Sequence, residues 1–358
     1  MTDLSGINTF SKEETLKAKS IAILLLIFHH MFLSKDAVST KIVLNLLSAD
    51  IISNLARDAR FCVWIFVFLS AYGITIGYGK FKGRNTAFFF HRVLMLQKFC
   101  LPILFIYYIL AIIFGQSREV LNNPLYIALN ILGLSDLIDF PALGGGYWYI
   151  TFTILLALFF PFFYNICEKY SYLVIPMAII LFQGYINLGI HSSSGGYYVQ
   201  YILAVFLGIL FAQKNIWNKI GKINKWSIKI PLFIVLITCI IIMPNIRNTF
   251  FPEDILQIKQ ILMTTAAIAV CCITFLFCRE KRLCKLMIFI GKHSANMYLL
   301  HPLVLNYLGR QVYFSKNLLI SYLTCFLICI ASSILLEAVL KYCGYNKLIN
   351  KLDCCICK

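Results

Sequence analysis

The chain has 358 residues, of which 60% are apolar and only 13% are charged, and its mean hydropathy is +0.82. Soluble domains average ~45–50% apolar and ~25% charged residues, so soluble, disordered and collagen-like classes are excluded. The net charge of +17 would suggest a nucleic-acid partner in a soluble chain. In a polytopic membrane protein it is read from its distribution over the loops, and no nucleic acid is expected.

A bilayer core needs ~20 apolar residues per helix. In chain order, 61–78, 94–114, 147–166, 173–187, 197–212, 230–243, 261–277, 286–308 and 318–340 read as spans. The stretch 20–33 is short, yet it is plausible as a tilted first span, which makes about ten. Segments 42–47 and 125–134 are too short to cross and read as interfacial or re-entrant pieces. Asp3, Glu13 and Glu14 spoil the basic region of a signal peptide, so the first apolar run is expected to remain. With the N-terminus inside, 23 of the 32 Lys and Arg fall on one side and 9 on the other. That bias places both termini in the cytoplasm. The expected fold is therefore all-α, one membrane domain over 1–358 with a helical core of about 17–342.

The 14 cysteines lie mostly in apolar runs, where they act as small hydrophobes. Cys354, Cys355 and Cys357 have no histidine near them in sequence, so no metal is expected.

Ionisable groups within spans are functional candidates. His29 and His30 interrupt an apolar run, and His30 stands ~16 Å along the helix from Lys19. A neutral imidazole at that depth suits a base, although a core histidine bonded to a carbonyl is the bland alternative. Ser294, Tyr298 and His301 share one helix face, and Pro302 frees the carbonyl of Tyr298. A hydrogen-bonded helix seam explains Ser294 and Tyr298 about as well as chemistry does. Glu337 and Lys341 read as an anchoring i,i+4 pair. The run Lys80, Lys82, Arg84, His91, Arg92, Lys98 could hold phosphates, Arg92 and Lys98 above all because they sit where a span begins. Gly144, Gly145 and Gly146 lead into the aromatic Tyr147-Trp148-Tyr149.

These residues resemble the membrane-bound acyltransferase 3 family along nearly the whole chain. A basic residue, ten intervening positions and a histidine appear as Lys19 and His30. The second span, CVWIFVFLSAYG over 62–73, is similar to the family's pattern, with Ser70 inside it. Arg92 leads to Pro102, Trp148 precedes Pro161 by thirteen positions, and IGKHSANMYLLH over 290–301 closes the set. Three positions depart: Lys19 replaces Arg, Ala71 stands where Gly is common, and Thr153 takes a position often held by Glu.

The resemblance implies transfer of an acyl group, usually acetyl from acetyl-CoA, to a hydroxyl of a cell-surface polysaccharide or lipid-linked glycan. It implies a multi-pass protein of the plasma membrane of a bacterial cell, in contact with membrane lipid. His30 would be the general base, with His301, Ser294 or Tyr298 donating to the oxyanion. Lys19, Arg84, Arg92 and Lys98 would face the coenzyme phosphates, with Ser70 and Trp148 toward the acceptor. The competing class is a non-catalytic glycolipid transporter or flippase.

Overall fold

The computed structural model describes residues 10–43, 47–115, 118–138, 140–142, 146–187, 198–223, 225–250, 256–278 and 280–357. All regular elements among them are helical. They are α1 (Lys12–Phe32), α2 (Lys35–Lys41), α3 (Ala49–Asp58), α4 (Cys62–Tyr78), α5 (Asn85–Phe114) and α6 (Arg118–Leu121). Next come α7 (Pro124–Leu132), α8 (Tyr147–Tyr170), α9 (Val174–Asn187), α10 (Ile202–Gln213), α11 (Ile216–Gly221) and α12 (Trp226–Phe250). The last are α13 (Leu256–Phe277), α14 (Lys281–Tyr307), α15 (Gly309–Val312), α16 (Leu318–Tyr342) and α17 (Tyr345–Cys357).

Among the described residues, six helical stretches are long and apolar enough to cross a membrane: Lys12–Phe32, Ala49–Phe81, Asn85–Phe114, Tyr147–Gly184, Gln260–Phe277 and Leu318–Tyr342. Tyr198–Gln213 and Trp226–Ile242 are shorter apolar helices. The protein is thus a helical, membrane-type chain. Within Tyr147–Gly184 the backbone turns at Ser171, whose φ of 51° lies in the left-handed region and separates α8 from α9.

The first span is longer than its apolar run. Ser11 accepts from the backbone N–H of Glu14 at 3.3 Å, and this N-cap starts the helix at Lys12. α14 differs in the other sense. It is 27 residues long, but Lys292, His293, Ser294, Asn296 and His301 in its middle lower its hydropathy below that of an apolar span. Its His293, Ser294, Asn296 and His301 are all buried, so this polar stripe faces protein. α7, with 9 residues, is too short to cross, as expected; 44–46 of the other short piece lie outside the described residues.

The chain groups into two compact units, neither of them contiguous in sequence. One holds α1–α4, the end of α8, α9–α13 and α14 up to Ser294. Its core is aromatic. Phe10 stacks on Trp217 at 4.3 Å between centroids, and Phe211 and Phe275 stand edge-on to the same indole at 5.2 and 5.3 Å. The other unit holds α5–α7, α8 up to Phe163, α14 from Ala295, and α15–α17. There Ile103, Leu104 and Tyr107 of α5, Ile150 and Ile154 of α8, and Leu299, Leu300 and Leu303 of α14 are buried together.

Backbones meet at two glycines of the first unit. A Cβ on Gly208 would stand 2.6 Å from the Phe68 carbonyl oxygen and 2.8 Å from Ala71 Cβ. Ala71 is therefore tolerated because α10 supplies the glycine across from it. At Gly291 a Cβ would lie 2.0 Å from the Leu16 carbonyl oxygen, so α14 rests directly on the backbone of α1.

Gly291→Ala must push these helices apart. We expect a stability loss at or above the top of the ~1–3 kcal/mol range for overpacking, read as thermal unfolding in detergent. Gly73→Ala, with nothing within 4 Å of its added Cβ, should unfold at or above the wild-type temperature. Equal behaviour of the two variants would contradict the crossing.

Candidate active site

The sequence-expected site residues divide between the units. Lys19, His30, Ser70 and Ser294 belong to the first, and Arg84, Arg92, Lys98, Trp148, Tyr298 and His301 to the second.

On α1, Lys19 and His30 are eleven positions apart, within ~20° of one another around the helix axis. Lys19 is half-buried and His30 is exposed at the helix end. His29, one step round the helix, is buried, and its Nδ1 lies 2.6 Å from the Ala56 carbonyl oxygen. A carbonyl only accepts, so His29 carries its proton on Nδ1. The rings of His29 and His30 stand edge to face, 4.9 Å apart. The two adjacent histidines thus have different surroundings, one fixed to α3 and one reaching outward.

Ser70 is half-buried on α4. Ser294 is buried, and its hydroxyl donates to the Gly291 carbonyl at 2.8 Å. That bond fills the helix's own acceptor, and it leaves Ser294 at the seam where α14 meets α1.

Lys17 is not among the expected site residues. The structure buries it: Nζ is 2.7 Å from Glu14 Oε2 and donates to the Cys278 carbonyl at 3.0 Å. Cys278 directly follows α13, so the cation caps a helix C-terminus, where the dipole is negative. Glu14 at i−3 distinguishes it locally from Lys19, but the contact with Cys278 has no local signal.

In the second unit, residues of α5, α8 and α14 come together around the start of α8. The Tyr298 hydroxyl donates to the Gly146 carbonyl at 3.0 Å, and its ring stands 5.4 Å from that of Tyr149. Tyr149 is close enough to Arg92 for an electrostatic interaction. His301 is buried, with Nδ1 2.6 Å from the Tyr298 carbonyl oxygen. That is the carbonyl left without its helix donor by Pro302. The imidazole replaces the missing N–H, which places its proton on Nδ1 and makes Nε2 the lone-pair nitrogen of the neutral ring. Trp148 is half-buried, with its ring 5.7 Å from that of Tyr149. Gly144 and Gly145 lie outside the described residues.

Thr153, at the position of the family's Glu, donates to the Tyr149 carbonyl at 2.7 Å. Asn296, which the sequence did not single out, donates to Glu337 at 3.2 Å.

Arg92 is half-buried, and its Nε is buried with no hydrogen-bond partner among the described residues. Lys98 sits six positions on, ~120° around α5 from Arg92, so the two do not share a face. Arg84 is exposed, donating through Nη1 to the Cys357 carbonyl at 2.8 Å and through Nη2 to the Lys80 carbonyl at 3.3 Å. Of the four expected phosphate-facing cations, Lys19 belongs to the first unit and Arg84, Arg92 and Lys98 to the second, and of these three Arg92 stands beside Tyr149. An apolar groove of about 890 Å³ runs along α5, α14 and α16, lined by Phe105, Leu300, Tyr307 and Leu335 among others. None of the expected site residues lines it.

A family model described as an acyltransferase domain, acyltransferase 3, matches residues 18–338. The chain belongs to that family of acyltransferases. Neither the curated proteins nor the solved structures give a significant match.

Lys17→Met should leave Glu14 without its cation beside a helix end that loses its cap. We expect a cost of about 3 kcal/mol, measured by thermal unfolding in detergent. Lys12→Met, at an exposed position of the same helix, should stay within ~0.5 kcal/mol of wild type. A Lys17 variant as stable as the Lys12 variant would show the buried pair to be energetically idle.

Proposed function

We propose that this acyltransferase moves an acyl group, acetyl above all, from acyl-CoA to a hydroxyl of a cell-surface polysaccharide or lipid-linked glycan. His30 is the general base in this reading. The observation that carries it is the contrast on α1: His29 is buried with Nδ1 on a backbone carbonyl, while His30 is exposed on the face of Lys19. A base must reach its proton, and only the second histidine is disposed to do so.

Acyl-CoA supplies the activated acyl group as a thioester. His30 takes the proton of the acceptor hydroxyl as that oxygen attacks, which raises its nucleophilicity without a free alkoxide. His301, with Nδ1 held by the Tyr298 carbonyl, presents Nε2; once protonated there, it donates to developing negative charge in a low-dielectric setting. Arg92 fits an anionic group of the coenzyme, because a buried guanidinium nitrogen lacking a partner gains most from a phosphate oxygen. Lys19 adds a point charge near the cytoplasmic start of α1, and Lys98 and Arg84 extend the positive field at the membrane edge. Ser70 and Trp148 are assigned to the acceptor side, Tyr298 holds α14 to the start of α8 through its bond to the Gly146 carbonyl, and Ser294 closes its hydroxyl on its own helix.

The reading takes the chain as ten spans with both termini in the cytoplasm of a bacterial plasma membrane. The uneven distribution of basic residues supports this. A single cysteine at Lys222, in a background without exposed native cysteines, should resist an impermeant maleimide in intact cells and label after permeabilisation. Labelling in intact cells would overturn the topology.

His30→Ala should lower acyl transfer by ~10²–10⁴-fold, the contribution of a positioned general base, at normal membrane abundance. His29→Ala should retain most activity and lose stability. The assay is acylation of surface glycan in isolated membranes with protein level measured alongside. A fully active His30→Ala at wild-type abundance would replace the enzymatic reading with that of a carrier.

A further inference from the structure

α17 gathers metal-ligand side chains at the edge of α5. It runs antiparallel to that helix: Tyr345 donates to the Gln97 carbonyl at 3.4 Å, Asp353 meets His91, and Arg84 donates to the Cys357 carbonyl at 2.8 Å. Asp353 and Cys357 are four positions apart and share a helix face. His91 Nδ1 lies 2.5 Å from Asp353 Oδ1 and 3.9 Å from Cys357 Sγ, and Sγ is 3.7 Å from the same carboxylate oxygen. The three ligand atoms all fall within 4.8 Å of one another. The terminal cysteines therefore have the histidine that their sequence neighbourhood lacks.

We propose that His91, Asp353 and Cys357 form a binding site for a zinc-class divalent cation that fastens α17 to α5. Tetrahedral zinc, with bonds of ~2.0–2.3 Å, sets its ligand atoms about 3.3–3.6 Å apart. The two distances to sulfur differ from that by a few tenths of an ångström. The nitrogen–oxygen contact has to open by less than about 1 Å, within reach of a side-chain rotation. An ion pair explains the short His91–Asp353 contact, but not the thiol turned toward both groups.

The surroundings are those of a built site. Phe81 lies against the imidazole at 5.0 Å and 32°, which fixes the ring's plane, and the Arg84 bond to the Cys357 carbonyl holds the last turn of α17. Such supporting contacts orient metal ligands. The His91 and Asp353 side chains are 23% and 24% exposed, leaving a path for the ion. A water can complete the coordination. Imidazole and thiolate favour zinc over magnesium or calcium. Binding releases the thiol proton and the imidazolium's Nδ1 proton to solvent, so that one carboxylate, one thiolate and a neutral imidazole balance the dication with no redox change. His91 immediately precedes Arg92, so the ion would bear on the position of that cation.

Full-length protein in detergent, stripped of metal and kept reduced with a phosphine, is titrated with cobalt(II). Expected are the visible bands of a tetrahedral site and a near-ultraviolet thiolate charge-transfer band at one cobalt per chain, both displaced by zinc. Cys357→Ser should abolish the charge-transfer band. His91→Ala should weaken binding by at least ~10-fold, since outer-shell losses alone cost ~10–100-fold. Cys355→Ser, on the opposite face of α17, should behave as wild type. Absence of the bands in the wild-type protein, whose fold no substitution has disturbed, overturns the site. So does a charge-transfer band that survives Cys357→Ser or is lost in Cys355→Ser.

Discussion

Within a bilayer, two helices gain little from burying apolar surface against each other, because lipid is as apolar as leucine. What holds them is close packing and polar contact. The crossing of α14 on α1 rests on the first. Gly291 brings the Leu16 carbonyl to a distance no side chain would allow, and Ser294, one turn on, is buried with its hydroxyl in the helix's own ladder. The rotational register of α14 is set by this contact. The departure at Ala71 obeys the same constraint, since α10 places Gly208 against it.

Backbone carbonyls assign the histidines their protonation. His29 and His301 each place Nδ1 2.6 Å from a carbonyl oxygen, yet the origins of the acceptors differ. Ala56 lies on another helix, so His29 is a tether between α1 and α3. Tyr298 lies in the histidine's own helix, and its carbonyl is available because Pro302 has no N–H to donate. A proline that would otherwise leave an unsatisfied acceptor in the membrane instead orients a ring. His30 is at the exposed end of α1, where a base can meet a proton donor.

Cations follow a comparable division. Lys17 caps α13 from the interior, and Arg84 holds the end of α17 through carbonyls, both of them structural tasks. Arg92 has a buried nitrogen with no partner among the described residues and stands beside the aromatic residues of α8. Similar charge in the sequence therefore has different uses, decided by which acceptor each side chain reaches.

Much of the fold was legible in the sequence because hydropathy acts locally: a run of ~20 apolar residues has few alternatives to a spanning helix. The spacing of Lys19 and His30 on one face follows from helix geometry alone, and so does the carbonyl freed by Pro302. The length of α1 beyond its apolar run was also written locally, in the Ser11 cap. The single helix α17, with its alternating polar and apolar residues, was not distinguished from a tail. Contacts between residues distant in the chain were invisible. Lys17 with Cys278, His91 with Asp353 and Gly291 with Leu16 are each separated by more than 250 positions, and no local pattern encodes such a meeting. Only the packing of helices brings these groups within bonding distance, and that packing decides which histidine is fixed, which lysine is buried and where a thiol finds an imidazole.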